Sequence, residues 1–150
     1  MYRIIRILII IMLVAVMMMV FKNLQKPKTL GVINGKLSQV PDTPNGVSTQ
    51  TNDQSKSVDP LPYKETREES VAVIKKVVMA YGGGQIKEET SNYLYVVFTT
   101  GRMKYKDDAE FYFDDASTLI HFRSASRIGY SDMGLNAERY HTISELYLKE

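Results

Sequence analysis

The 150-residue chain contains no cysteine, and this absence excludes several kinds of protein. Without a thiol there is no disulfide framework, no thiolate metal site and no lipid-modified cysteine of the lipoprotein type. Histidine is nearly absent as well, because only His121 and His141 occur and neither has a partner at metal-ligand spacing. The residues therefore predict no metal site and no cofactor.

The motifs that mark common enzyme families are also missing. The chain has no G-x-S-x-G, H-E-x-x-H, P-loop or dinucleotide fingerprint. Ser124, Ser126 and Ser131 have no histidine that could act as a base, which disfavours serine hydrolysis. The glycine run 82–84 follows a predicted helix, whereas a phosphate-binding loop precedes one, so we interpret it as a helix cap.

Acidic residues are lacking from the first 29 positions, which carry five basic residues: Arg3, Arg6, Lys22, Lys26 and Lys28. The chain has 19 Lys and Arg against 17 Asp and Glu, so the remainder holds 14 basic and 17 acidic groups, a net charge of −3. A domain of this charge lacks the basic stripe that displaces counterions from a phosphate backbone. We therefore expect no nucleic-acid partner.

An unbroken apolar run extends from Ile7 to Phe21. With Ile4 and Ile5 the segment has about 18 residues and spans roughly 27 Å as a helix, enough for a bilayer core. A cleaved signal peptide is the main alternative and a buried helix a third, but no small-residue cleavage site follows the run. The sequence favours an uncleaved membrane anchor with its basic flank in residues 1–29.

The orientation of the anchor is close to a tie, because two arginines precede the apolar run and three lysines follow it. A very short N-terminal tail favours the arrangement with the amino terminus inside. We therefore expect a single-pass protein of the cell membrane whose domain, residues 30–150, is extracytoplasmic (periplasmic).

The remainder predicts an α+β fold, in which helices cover one face of an antiparallel sheet. Segment 38–62 holds four of the five prolines and is typical of a linker or irregular loop. Period-three-to-four and period-two apolar patterns then predict a helix over 64–84, strands over 92–100, 103–113 and 118–126, and a helix over 136–150.

Two registers are possible for the hairpin formed by the second and third strands. A four-residue loop pairs Asp108 with Arg123, and a six-residue loop pairs Glu110 with Arg123. Either register places the arginine beside carboxylates on the face opposite the apolar one. A cross-strand ion pair there stabilises the sheet by about 0.2–1 kcal/mol.

Asp107 is unusual because the alternation points it toward the apolar face. A carboxylate there needs hydrogen-bond donors. Ser124 and Ser126 lie on that side of the next strand, and Arg127 or backbone amides complete the candidate set. The alternatives are a structural network and a carboxylate that faces a ligand or acts as an acid or base.

The stretch RSASRIGYSDMGLN, residues 123–136, is dense in polar groups. Arginines beside hydroxyls and exposed amides suit a carboxylate, a phosphate or a lipid headgroup. The same groups could instead satisfy one another within a loop, with Asn136 capping the last helix. The candidate binding residues, several of which could face one concave spot, are Asp107, Asp108, Arg123, Ser124, Ser126, Arg127, Tyr130, Ser131, Asp132, Asn136 and Arg139.

The segments FTTGRMKYKDDAEFYFDD and IHFRSASRIGYSDMGLNAERY resemble the family called domain of unknown function 1499 (DUF1499). The resemblance covers roughly residues 30–147 and implies a membrane-associated or exported domain without specifying a reaction. It extends to VPDTPNGVSTQ, which favours an ordered segment there. The two cysteine positions of the family are Val40 and Gly46 here, so a cysteine-dependent activity is not expected.

Three functional hypotheses follow. The first is a membrane-anchored module that binds an anionic small molecule, a lipid headgroup or a partner protein at the polar stretch. The second is an enzyme with Asp107 or Asp132 as acid or base and Arg127 stabilising negative charge. The third is a structural or assembly protein in which the polar stretch is a fold-specifying network.

Overall fold

The structure, a computed structural model, describes residues 2–150. Its elements follow the predicted order, and the ends of the predicted helices and strands agree within three residues. In chain order they are α1 (Tyr2–Leu24), β1 (Val32–Ile33), β2 (Lys36–Leu37), β3 (Gly46–Ser48), a 3-10 turn (Gln54–Lys56), β4 (Leu61–Pro62), α2 (Arg67–Tyr81), β5 (Gly84–Glu89), β6 (Tyr93–Thr99), β7 (Lys106–Asp114), β8 (Leu119–Ser126) and α3 (Leu135–Lys149).

Helix α1 is apolar around its whole circumference, and none of its side chains is buried in the protein. Its 23 residues give a length of about 34 Å. It is therefore long and apolar enough to cross a bilayer, a property that signal sequences share.

The predicted α+β class is confirmed, because the strands form one antiparallel six-stranded sheet with helices α2 and α3 on one face. Strands β3, β8, β7, β6 and β5 lie side by side in that order, and β4 pairs with β8. The register places Glu110 opposite Arg123, the second of the two predicted pairings.

Strand β5 was not predicted, because its sequence GQIKEE is mostly polar. It lies at the edge of the sheet beside β6, with a register shift between Ile86 and Glu88. Charged side chains and a bulge are common at sheet edges, where they discourage pairing with other chains. The polar residues of β5 therefore suit an edge strand, and they also explain why a search for alternating apolar residues does not find it.

Segment 38–62 is not a flexible linker but is ordered against the sheet, as the family resemblance favoured for its first part. Gly46–Ser48 pair with Ala125–Arg123, and Leu61–Pro62 pair with Ile120–Leu119. Two short strands therefore cover the outer edge of β8 in succession. Proline does not prevent this, because an edge strand leaves one side of its backbone unpaired.

The two faces of the sheet are covered differently. On the helix side, sixteen buried residues from the strands and from α2 and α3 form one core, with Phe111 and Phe122 at its centre and Ile74, Ile143 and Tyr147 from the helices. On the opposite face, a smaller apolar cluster of β6 and β7 is covered by residues 30–37. We call this second face the anchor side.

We expect Gly46→Ala to lower the free energy of unfolding by about 1–3 kcal/mol, because the backbone of β8 leaves no room for a side chain. An added Cβ would lie 2.7 Å from the carbonyl oxygen of Ser124 and 2.9 Å from the Cβ of Ala125. Gly101→Ala is the matched control, since an added Cβ there meets nothing within 4 Å. Urea unfolding of the full chain in detergent, followed by circular dichroism, compares the two. Equal midpoints would show that β3 does not pack against β8.

Candidate functional site

The polar stretch covers the end of β8, the following loop and the first turns of α3. It faces three carboxylates of β7: Asp107 points to the helix side, and Asp108 and Glu110 point to the anchor side. All three are buried. Successive strand residues alternate between faces, so the dipeptide Asp107-Asp108 delivers one negative charge to each side of the sheet.

On the helix side, Asp107 is neutralised by Arg139 of α3. The Nη2 atom of Arg139 lies 2.7 Å from an Asp107 carboxylate oxygen, and the hydroxyl of Ser126 donates to the other oxygen. The guanidinium of Arg139 also lies 4.5 Å from the centroid of the Phe98 ring. This pair joins the sheet to α3 within an apolar environment.

Asn136 links the same carboxylate pair to the chain around it. Its side-chain oxygen accepts hydrogen bonds from Ser124 and Arg139, and its amide donates to Ser126 and Asp132. Every polar atom of this buried side chain therefore has a partner, as burial requires. We call Asp107, Ser124, Ser126, Asn136 and Arg139 the helix-side network.

On the anchor side, Arg127 holds Asp108 with two nitrogens. Its Nε and Nη2 atoms lie 2.9 and 2.8 Å from the Asp108 carboxylate oxygens. The hydroxyl of Tyr95 also donates to Asp108, and Arg127 Nη1 donates to the carbonyl of Asn23 at the end of α1. A bidentate charged pair of this kind fixes direction as well as distance.

Glu110 is the most completely buried of the three carboxylates, with no exposed surface. It accepts from Arg123 Nη1 at 2.9 Å, from the hydroxyl of Tyr93 at 2.8 Å and from the backbone amide of Gly31 at 2.7 Å. This confirms the predicted proximity of Arg123 to a carboxylate on its own face. The pair is buried and not solvent-exposed, because residues 30–40 lie over it. We call Asp108, Glu110, Arg123 and Arg127 the anchor-side network.

The tyrosines of these networks stay neutral. Burial, aided by Asp108, raises the pKa of Tyr95, and burial with the charge of Glu110 raises the pKa of Tyr93. For Arg127, burial lowers the pKa, but the hydrogen bonds and charge of Asp108 outweigh it and the net shift is upward. The phenols therefore remain donors and the guanidinium remains charged at any physiological pH.

Three expectations for the polar stretch need correction. The candidate residues do not share one concave spot, because the sheet separates Arg123 and Arg127 from Arg139. Arg127 does not contact Asp107. It follows the last residue of β8 and binds Asp108 on the anchor side, whereas Arg139 of α3 binds Asp107 on the helix side. Asn136 does not cap α3, because the helix-side network uses its side chain.

The N-cap residue of α3 is Gly134, and Asp132, two residues before it, satisfies amides at the start of the helix. Its carboxylate accepts from the backbone amides of Gly134 and Asn136 at 3.1 and 2.8 Å, at the positive end of the helix dipole. The hydroxyl of Ser131 accepts from the amide of Met133, and Tyr130 is 76% exposed. Neither Ser131 nor Asp132 contacts Arg127, whose partners are Asp108, Tyr95 and Asn23.

A cleft of about 280 Å³ opens on the anchor side, between the end of α1 and strand β8. Lys22, in the last turn of α1, lines it together with Arg123 and Arg127. The other polar residues of its wall are Thr29, Thr43, Asn45, Ser126 and the paired Asp108. Among the candidate residues, Arg123, Arg127, Asp108 and Ser126 meet here, and the remaining seven lie elsewhere.

Sequence reasoning missed several residues that contact these networks or the loop beside them. Tyr93 and Tyr95 were detectable, because they alternate in β6 on the face that Asp108 and Glu110 occupy in β7. Asn45 was not detectable: its amide donates to the carbonyl of Gly129 at 2.9 Å across a long sequence separation. No local pattern identifies such a contact.

The two histidines differ in environment. His141 is exposed on α3, and His121 is half-buried in β8, where its ring stacks on Tyr112 and approaches Asp114. Burial lowers the pKa of His121 below its ordinary value of 6.5, and the charge of Asp114 offsets this only in part. The folded chain therefore favours neutral His121.

We expect the free energy of unfolding to fall as the pH drops through about 6.5. Over this range the unfolded chain protonates His121 before the folded chain does, so acid stabilises the unfolded state. His121→Gln should flatten the dependence between about pH 7 and about pH 5, whereas the exposed His141→Gln should not. Urea unfolding at several pH values tests this, and equal slopes for wild type and His121→Gln would contradict it.

We expect Arg127→Ala to lower the free energy of unfolding by about 3–5 kcal/mol, because it leaves Asp108 buried without a cation. Asp108→Ala should cost a similar amount, and the double variant should lose less than the sum of the two. Lys75→Ala, which breaks a partly exposed pair with Glu89, serves as control and should cost less than about 1 kcal/mol. Additive losses in the cycle would show that Arg127 and Asp108 do not interact.

Comparison with known proteins identifies the family of the chain. No curated protein matches the chain. A family model described as a protein of unknown function (DUF1499) matches residues 36–146, which include both networks and every strand from β2 to β8. The match covers about three quarters of the chain and agrees with the resemblance seen in the DD-x-EF and RSASR segments, so the chain belongs to the DUF1499 family.

Proposed function

We propose that this chain is a membrane-anchored module that binds an anionic group in the cleft between α1 and β8. The observation that carries the proposal is the position of Lys22. This lysine belongs to the apolar helix, yet it lines the same cleft as Arg123 and Arg127 of the domain. The cleft therefore lies where the chain would leave the bilayer, at the depth of lipid headgroups.

The anchor in this proposal is α1, held in the membrane and not removed as a signal peptide. Its support is the unbroken apolar run from Ile7 to Phe21 and the absence of small residues where a signal peptidase would cut. We further propose that the amino terminus lies in the cytoplasm. The domain then lies on the extracytoplasmic side.

The charges around the cleft define what it can bind. Arg123 and Arg127 are each neutralised by a carboxylate, so they contribute only guanidinium hydrogens that their carboxylates leave free. Lys22 makes no ion pair with any of residues 2–150 and supplies the uncompensated charge. Together these groups make the cleft suitable for one phosphate or carboxylate group, whether of a lipid headgroup or of a small anion.

A second candidate function rests on the networks themselves. All three arginines of the polar stretch and the first turns of α3 form buried ion pairs within the domain. This favours a role in specifying the fold, with function in assembly. The two roles are compatible, since only the outer edge of the anchor-side network faces the cleft. The carboxylates suggested as acid or base are occupied: Asp107 is held by Arg139 and Ser126, and Asp132 by the amides of α3.

We expect the full chain in neutral detergent to bind short-chain phosphatidylglycerol more tightly than short-chain phosphatidylcholine, as measured by isothermal titration calorimetry. Lys22→Gln should weaken binding about tenfold, because a charged hydrogen bond is lost. Lys36→Gln removes the same charge from an exposed position in β2 and should have no effect.

Inorganic phosphate is titrated separately to distinguish the two sources of the anion. Binding of phosphate as tight as that of phosphatidylglycerol would assign the cleft to a small anion, and tighter lipid binding would assign it to a headgroup. Equal weakening by Lys22→Gln and Lys36→Gln would indicate charge attraction without a site, and would overturn the proposal.

A further inference from the structure

Three large apolar side chains outside α1 stand in solvent at one end of the sheet. Met103, Tyr130 and Met133 are 60%, 76% and 98% exposed. Met103 belongs to loop 100–105, which joins β6 to β7, and the other two belong to loop 129–134, which joins β8 to α3. Single exposed apolar residues are ordinary, but three on neighbouring loops are the kind of grouping found at interaction surfaces.

The two loops lie side by side. Thr100 and Tyr105 of the first and Gly129, Ser131 and Met133 of the second line a common cavity of about 170 Å³. This adjacency follows from the topology, because the last residues of β6, the first of β7 and the last of β8 lie at the same end of the antiparallel sheet.

The end of α1 contacts the same end of the sheet. The side-chain amide of Asn23 donates to the carbonyl of Lys104 at 2.9 Å, and its oxygen accepts from the amide of Lys106 at 2.9 Å. Loop 100–105 therefore contacts the end of the apolar helix, and loop 129–134 lies beside that loop.

The charge of the loops is basic. Arg102 and Lys104 are exposed and form no ion pair within residues 2–150. The one acidic residue of the two loops, Asp132, is occupied by the amides of α3. Lys22 and Lys28 add exposed positive charge beside the end of α1.

The backbone holds both tips in an unusual conformation. Lys104 and Met133 have φ angles of 55° and 56°, in the left-handed region that glycine adopts most readily. A residue with a long side chain does not favour this conformation. Lys104 nevertheless belongs to the exposed basic residues of the loops, and Met133 to the exposed apolar ones. Strain of this kind is concentrated at functional surfaces.

We propose that loops 100–105 and 129–134 form a second membrane contact, which rests the domain on the surface of an anionic bilayer beside α1. This rests on the proposed role of α1 as a retained anchor and adds exposed side chains at the two loop tips, none of which lines the cleft. Methionine adapts to the disordered interface, tyrosine prefers the headgroup level, and Arg102 and Lys104 attract anionic lipids. A protein partner would not require that these loops lie beside the end of the apolar helix.

The experiment uses the full chain in nanodiscs that contain phosphatidylglycerol. Because the chain has no cysteine, Met103→Cys, Tyr130→Cys and Met133→Cys can each carry a single environment-sensitive fluorophore. Doxyl lipids with the quencher near the headgroup should quench all three labels several-fold more than a label at Ala116→Cys. Ala116 is exposed in the turn between β7 and β8, at the opposite end of the sheet.

A fifth label at Met12→Cys separates failure of this inference from failure of the anchor. Strong quenching at position 12 by deep doxyl lipids, with quenching at positions 103, 130 and 133 no greater than at 116, would overturn the second contact and leave the anchor in place. Absence of quenching at position 12 would overturn both. Neither result depends on ligand binding in the cleft.

The role of charge is tested with Arg102→Gln/Lys104→Gln in the Met133→Cys background. We expect the double substitution to reduce quenching at position 133 several-fold in phosphatidylglycerol nanodiscs and to leave it unchanged in phosphatidylcholine nanodiscs. Lys36→Gln/Lys87→Gln, at two other exposed lysines, is the matched control. Equal loss in both pairs would overturn the basic contribution to the contact.

Discussion

The burial of three carboxylates on β7 is the constraint to which the rest of the domain is fitted. Asp107, Asp108 and Glu110 are at most 2% exposed, and an unpaired charge at any of these positions would cost several kcal/mol. Because they point to opposite faces, their arginines must arrive from both sides of the sheet. One comes from β8, one from the loop after it and one from α3. The sheet, the last helix and the end of α1 are thereby held in one arrangement.

Much of this could be predicted from local patterns. Period-two alternation located β6, β7 and β8 and placed Arg123 on the face of Asp108 and Glu110. The apolar run identified α1, and the glycine run located the end of α2. The density of polar groups after β8 correctly indicated an unusual segment, although density alone does not distinguish a ligand site from a network of internal partners.

The rest depends on contacts that no window of sequence contains. Residues 38–62 have the composition of a linker, and they join the sheet because the open edge of β8 offers them backbone partners. Arg127 and Arg139 carry the same charge and both follow β8, so only the path of the chain determines which carboxylate each one reaches. Asn136 is a good cap by residue type, but the demand of a buried network for an amide outweighs that preference.

Asn23 has a mechanical consequence for the molecule. Its side chain bonds to the backbone of Lys104 and Lys106, and its own carbonyl accepts from Arg127. These bonds oppose rotation of α1 about its axis, because such a rotation would carry Asn23 away from Lys104 and Lys106. A tilt imposed on α1 therefore acts on the sheet through these hydrogen bonds.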